Sequence, residues 1–491
     1  MSEHLPVLQV VVPMVLAPVC MVARPARLAR WVASLGALTA FGIALALLDR
    51  VLAVGVISYP LGGFPPPLGI EYRVDLLNAF VLVIVSAMAA IVVPLGPGAR
   101  GHAIPEGREH LYYAALLLCL AGLLGVTITG DAFNIFVFLE ISSLASYTLV
   151  SLGRSRRALR AAFAYLIMGS IGGTFVLIGI GLMYLMTGTL NLADLAERLA
   201  AQDESRTIHA AFAFLAVGVS IKLAVFPLHQ WLPDAYAEAP PAVSAFLAAT
   251  GTKVAFYVLV RLVFTVFGAV FVFETLGLGV LLMPLSVAAL IVGAIAAFGQ
   301  KDLRRLLAYS SVSQVGYLTL GLSFGSVTGL TGSLVHVFNH ALIKGGLFLV
   351  AAGIIAKTGS SAIADLRGLG RRMPWTAAAF VLGGLGLIGV PFTAGFISKW
   401  YLVLAALEWG GPGVALVILI SSLLAALYVW RVVEVMYFQE PPPGAPEGEA
   451  PLPLLLATWL LLGASVFFGV FTDGSAAVAE RAAGQLLGVS P

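Results

Sequence analysis

Charge is scarce in this sequence. Asp, Glu, Lys and Arg together make up 10% of its 491 residues, while 60% are hydrophobic. A water-soluble fold needs far more polar surface than that, so soluble classes are excluded. The net charge of +3 is too small to point to nucleic acid. Cysteine is scarcer still. Cys20 and Cys119 lie in apolar segments, fit neither a disulfide framework nor a metal site, and are expected to pack. The N-terminus lacks the basic start of a signal peptide, because the first arginine follows the apolar run. It reads as a first spanning helix with its N-terminus outside. The stretch GPGARG (Gly96 to Gly101) has G-x-G-x-x-G spacing, but it follows an apolar helical run rather than a strand and is a chance match. No nucleotide loop, redox centre or metal motif is visible, so no cofactor is expected.

What is abundant is apolar runs, each near the ~20 residues that a spanning helix needs. Fourteen are expected, near 5–23, 31–48, 76–95, 110–128, 132–152, 161–187, 208–235, 242–268, 277–298, 306–324, 330–355, 376–408, 413–438 and 452–472. The fold class is therefore an all-α polytopic membrane protein. With the N-terminus outside, the gaps facing inward hold 16 Lys and Arg against 5 in those facing outward. That bias supports the orientation and places the C-terminus outside as well.

The chain repeats itself. Asp131 and Asp302 are 171 residues apart; Ser143 and Ser313, and Tyr147 and Tyr317, are 170 apart. AFYVLVR ends at Arg261 and ALYVWR at Arg431, again 170 on. The repeat holds five spans, and an odd number turns the second copy upside down, as in transporter architectures. The expected organisation is an N-terminal three-helix region (1–105), two inverted five-helix repeats (106–272, spans 4–8; 273–440, spans 9–13), and a C-terminal helix with a short tail (441–491).

Against this apolar background stand Glu140, Lys222, Lys253, His336, His340, Lys344 and Lys399. Each costs roughly 2.5–3.5 kcal/mol at a helix centre unless paired or hydrated. Lys222 precedes Pro227, and Lys399 follows Pro391 and Gly395. Proline removes a helix hydrogen bond, so spans 7 and 12 are expected to be broken beside a buried lysine, where ion handling is expected. His336, His340 and Lys344 are spaced by four and share one helix face, about 6 Å apart along the axis. Such a titratable row, joined by water, can relay protons. Glu140 is expected to pair with Lys222, a coupling pair on one reading and a static packing pair on the other.

Asp131 reads as an N-cap. Arg261, Arg431 and Glu434 sit near helix ends, where snorkelling or structural pairing is the default. Asp234 and Glu238 either guide ions inward or line a solvated loop. Gly169 and Gly173 could admit a partner helix, although packing within the subunit is the first expectation.

GDAFNIFVFLEI, the long run from Lys222 to Arg261, HVFNHALIKGGLFL and GVPFTAGFISKW together resemble the antiporter-like subunits of respiratory complex I, membrane-bound hydrogenases and Mrp-type cation/proton antiporters. The resemblance covers residues 50–440. It implies fourteen helices with two inverted repeats, a coupling pair at Glu140 and Lys222, and a hydrophilic axis through Lys253, His336, His340 and Lys399. It implies work in a multisubunit assembly of a bacterial or archaeal cell membrane, moving protons and Na⁺ or K⁺. APPAVSAF with GTKVAFYVLVR is most similar to the Mrp D subunit. A proton-pumping subunit of complex I or a hydrogenase is the alternative, and a non-conducting structural subunit the third. The lateral helix of the longest complex I subunit is not expected.

Overall fold

The computed structural model describes residues 2–23, 25–97, 104, 107–153, 155–202 and 205–489. The end of the GPGARG stretch and the expected boundary at residue 105 lie outside the described residues.

The N-terminal region comprises α1 (Leu5–Val22), α2 (Ala26–Val54), a hairpin of β1 (Ile57–Pro60) and β2 (Glu71–Val74), and α3 (Leu76–Val92). The hairpin is antiparallel, pairing Ile57 with Val74 and Tyr59 with Tyr72. Next come α4 (Glu109–Ile128), α5 (Ala132–Ser151), α6 (Arg156–Thr187), α7 (Leu192–Ala200), α8 (Arg206–Leu223), α9 (Trp231–Glu238) and α10 (Pro241–Val260), the last continuing as a wide turn over Arg261–Val266. Then follow α11 (Leu278–Phe298), α12 (Leu303–Ser323), α13 (Val327–Thr358), α14 (Leu369–Arg372), α15 (Pro374–Ile388), α16 (Ala394–Glu408) and α17 (Pro412–Phe438). The chain closes with α18 (Leu452–Val470) and α19 (Asp473–Leu487).

Twelve helices among the described residues are long and apolar enough to cross a membrane. In lipid only a helix satisfies its own backbone groups, and continuous apolar runs make that conformation the only stable one here. The two expected spans outside those twelve are α12 and the pair α15 and α16. Helix α12 carries Ser310, Ser311, Ser313 and Gln314, all buried. It can be less apolar because its neighbours are protein, chiefly α11 and α13.

Both expected breaks are present. Helix α8 stops at Leu223, where Ala224 takes φ 61°, and Pro227 lies between it and α9. Helix α15 stops at Ile388, followed by Gly389 at φ 82°, Pro391 and Phe392 at φ 69°, before α16 starts. The tail expected after the last span is instead a helix, α19, packed on α13 and α3 through Ala476, Ala479, Ala482 and Ala483. Those alanines recur at helical spacing, a pattern too weakly apolar to register as a span.

Elements recur 171 residues apart. Helix α6 (156–187) and α13 (327–358) match at both ends, and α10 and α17 start at Pro241 and Pro412. The caps match too. Asp131 accepts from the Asn134 amide at 2.7 Å and Asp302 from the Arg304 amide at 2.9 Å. Ser155 and Ser326 cap α6 and α13. Backbone bridges join Asp131 to Asn191 and Asp302 to Ala362.

Connecting segments meet at two ends. At one, Ser155 donates to Glu238 at 2.9 Å, Arg305 pairs with Asp234 at 2.6 Å, and Arg304 donates to the Ala239 carbonyl at 2.8 Å. At the other, Asn191 donates to Glu71 at 2.8 Å, His4 meets Tyr59 at 2.9 Å, and Arg261 pairs with Asp75 at 2.5 Å. Between them α13 is the hub, touching α10, α12, α15, α16, α18 and α19.

Candidate functional site

Lys222 lies in the last turn of α8, just before the break. Its Nζ is 3.1 Å from Glu140 Oε1 of α5 and 2.7 Å from Ser143 Oγ, one turn further along. The lysine side chain is 7% exposed and that of Glu140 26%, so the pair opens to the protein surface on its acid side. Helix α6 makes room for it. A Cβ on Gly173 would overlap the Glu140 carboxylate, coming within 3.0 Å of Cδ, and one on Gly169 would overlap the Tyr147 hydroxyl. The two glycines thus pack α5 against α6 within the subunit, as first expected. Gly173→Ala is expected to push the carboxylate off Lys222 and lower transport by at least tenfold at equal protein abundance. Gly181→Ala on the same helix, where nothing lies within 4 Å, is expected to be silent. Wild-type proton movement by Gly173→Ala vesicles would show that this slot does not set the position of Glu140.

From Lys222 the polar path enters the core. A cavity of about 30 Å³ is lined by Lys222, Ser142, Ser143, Ser146, Trp231 and Thr252. A water needs only about 10–15 Å³ and two or more polar partners, so the space suits one. Thr252, one of its lining residues, accepts at 3.4 Å from Lys253 Nζ, which also donates to the Ala248 carbonyl.

Lys253 and Lys344 both lie within electrostatic reach of His340, and Lys253 and Lys399 within reach of His336. The two imidazoles stack at 5.6 Å with 10° between their planes, as a spacing of four on α13 dictates. His336 Nδ1 is 2.9 Å from Ser398 Oγ. His336 Nε2 and both ring nitrogens of His340 are buried without a protein partner. Buried polar atoms are costly unless hydrogen-bonded, so these three are the places where water would enter the row. Lys344 Nζ donates to the Leu307 carbonyl at 2.7 Å and to Ser310 Oγ.

Lys399 sits on α16, just past the second break, and reaches back across it. Its Nζ donates to the carbonyls of Leu387 at 2.9 Å and Ile388 at 2.8 Å, and to Ser422 Oγ at 3.0 Å. Those carbonyls end α15, the negative pole of that helix, and the Tyr317 ring lies 4.8 Å away. The break therefore frees the acceptors that hold the lysine. The two broken helices place their lysines differently: Lys222 precedes its break and Lys399 follows its own.

The remaining charged residues are structural or at the surface. Asp131 caps α5, and Arg431 donates to the carbonyls of Phe298 and Gln300. Arg261 is buried in its pair with Asp75, a partner hidden from sequence reasoning by a separation of 186 residues. Asp234 and Glu238 bind Arg305 and Ser155 in the connecting layer, and Glu434 is exposed. Ser143, Thr252, Ser310, Ser398 and Ser422 complete the row, and only the serine density of AYSSVSQ hinted at them.

Residues 129–425 match the family described as NADH:quinone oxidoreductase/Mrp antiporter, TM. The N subunit of the NADH-quinone oxidoreductase of Desulforudis audaxviator is 43% identical over 468 residues, covering 92% of this chain and 90% of its own. The D subunit of the Na(+)/H(+) antiporter of Bacillus subtilis is 30% identical, covering 92% of this chain and 91% of its own. A chain of the Mrp complex from Dietzia sp. DQ12-45-1b superposes with a TM-score of 0.89 at 27% identity, over 99% of this chain and 97% of that one. The matched span begins before Glu140 and ends beyond Lys399, so all seven groups of the row lie inside it, and the chain belongs to the NADH:quinone oxidoreductase/Mrp antiporter family of membrane subunits.

Proposed function

We propose that this chain is the proton-translocating subunit of a multisubunit Na⁺(K⁺)/H⁺ antiporter of the Mrp type. The observation that supports this reading is the set of ionisable groups inside the bundle, from the half-buried Glu140 and its partner Lys222 to the buried Lys253, His340, His336, Lys344 and Lys399. Seven ionisable groups at that depth carry a cost that packing alone does not explain. A proton entering near Glu140 passes along the row to Lys399 and leaves beyond the second break. The charge state of Glu140 sets that of Lys222 across 3.1 Å, in a poorly hydrated setting where such coupling is strong.

Other subunits are the expected partners, and the partly exposed side of Glu140 is where one would act on the pair. Residues 106–272 and 273–440 are taken as the two inverted copies, supported by the 171-residue offsets of helices, caps and bridges. Both termini are placed outside a bacterial or archaeal cell membrane, supported by the 16 against 5 distribution of Lys and Arg.

The 43% identity to an oxidoreductase subunit favours a second reading, in which quinone reduction drives the same relay. Everted membrane vesicles from a host lacking the chain, complemented with wild type or Lys222→Ala, separate the two while a dye reports the pH gradient. Antiport predicts that added Na⁺ or K⁺ dissipates a preformed gradient with wild type and not with Lys222→Ala. The second reading predicts a gradient built by substrate oxidation that needs Lys222 and ignores the cation. Equal behaviour of both strains in both assays would eliminate proton translocation by this chain.

A further inference from the structure

A cavity of about 610 Å³ opens at the hairpin end of the bundle, away from the proton row. Its size is that of a ligand site rather than a packing defect. Six parts of the chain wall it: the last turns of α2, β2 with the start of α3, the turn between α4 and α5, the start of α7, the end of α10 with the wide turn after it, and α19.

Its charge is one-sided. Arg73, Arg261 and Arg481 line it against a single carboxylate, Asp75. Asp75 is already engaged, accepting from the Asn78 amide at 3.1 Å and from Arg261 at 2.5 Å. Arg73 and Arg481 are exposed, and neither is hydrogen-bonded to a protein carboxylate among the described residues. Two exposed guanidinium groups without a carboxylate hydrogen bond, lining one cavity with a paired third, make a seat for an anion. The planar fork of arginine favours phosphate, which it binds through paired N–H groups.

The other wall is apolar and continuous with the outer face of the bundle. Val51 and Leu52 line the cavity, and Leu38, Leu45, Leu52 and Val54 are exposed along the same helix. The hairpin loop beside it exposes Phe64 and Leu68. Exposed apolar side chains beside free arginines mark the level where a bilayer's hydrocarbon meets its headgroups.

We propose that this cavity binds the phosphodiester headgroup of an anionic phospholipid, with Arg73 and Arg481 on the phosphate and an acyl chain laid along α2. The bound lipid bridges the hairpin to α19. Because α19 packs on α13, the lipid secures the end of the bundle opposite the Ser155–Glu238 layer.

The full-length chain in detergent is titrated with dioleoylphosphatidylglycerol, dioleoylphosphatidylcholine and glycerol 3-phosphate, with bound species counted by native mass spectrometry. Wild type is expected to retain the anionic lipid at least tenfold more tightly than the zwitterionic one. Arg73→Gln/Arg481→Gln is expected to lose that preference, and Arg73→Lys/Arg481→Lys to keep part of it. Both positions are exposed, and an unchanged melting temperature of the variants confirms the fold. Undiminished preference in the glutamine variant would overturn the site. Displacement of the lipid by an equal concentration of glycerol 3-phosphate would overturn the lipid assignment and give the seat to a soluble phosphate ester.

Discussion

Replacing Glu140 by alanine is expected to bring proton-coupled transport down to the background of membranes lacking the chain, while insertion and abundance stay at wild-type levels. Removing one partner of a wholly buried ion pair costs about 3–5 kcal/mol. Here the cost is smaller, because the Glu140 side chain is 26% exposed and Ser143 still accepts from Lys222 at 2.7 Å. The fold survives and the function does not, because Glu140 is the only carboxylate paired with Lys222 among the described residues. Glu140→Gln keeps the shape of the side chain in the space left by Gly173 and is expected to fail equally. Glu140→Asp keeps the charge one methylene short of the 3.1 Å contact and is expected to retain part of the activity. Membrane abundance is followed by immunoblot and transport by the dye assay in everted vesicles. Wild-type transport by the glutamine variant would show that Glu140 acts through its shape and not its charge.

How much of this was legible in the sequence follows from which forces act locally. Spanning helices declare themselves, because lipid demands a continuous apolar run and an internally bonded backbone. The breaks announce themselves through Pro227 and Pro391, and one cap through Asp131. The seven ionisable groups stand out against apolar neighbours. What the chain does not declare is distance. The slot that Gly173 opens for Glu140 and the serines that receive lysine ammonium groups come from other helices, as does the Asp75–Arg261 pair. The hairpin and α19 escaped because short strands and alanine-rich helices carry little hydropathy signal.

The repeat offset adds something that single motifs do not. Shifted by 171, the α13 positions of His336, His340 and Lys344 fall on Tyr165, Gly169 and Gly173 of α6. One copy carries titratable groups on its long helix. The other has glycine at two of those three positions, where α6 admits Tyr147 and Glu140 from α5. The same backbone frame thus holds a row of titratable groups in one half and an ion pair in the other, the asymmetry that the proposed proton path requires.

Lys399→Arg is the substitution that best separates conduction from packing at the far end of the row. The three N–H groups of a protonated Lys399 meet three acceptors, Leu387 O, Ile388 O and Ser422 Oγ, between 2.8 and 3.0 Å. An arginine keeps the positive charge, the attraction to the end of α15 and the stacking on Tyr317. It does not keep the ability to let a proton go, because guanidinium stays charged at any physiological pH. If Lys399 only neutralised the freed carbonyls, arginine would be a fair replacement, and transport would persist near the wild-type rate. If Lys399 passes the proton on, the row fills behind a permanent charge and stops. The expected outcome is transport below a hundredth of wild type with the subunit present at normal abundance. Lys399→Ala is expected to be as inactive and also less abundant, because it leaves the two carbonyls at the break without a donor. Dye-reported proton movement at more than half the wild-type rate in Lys399→Arg vesicles would make this lysine a structural clamp and end the row at His336 and Lys344.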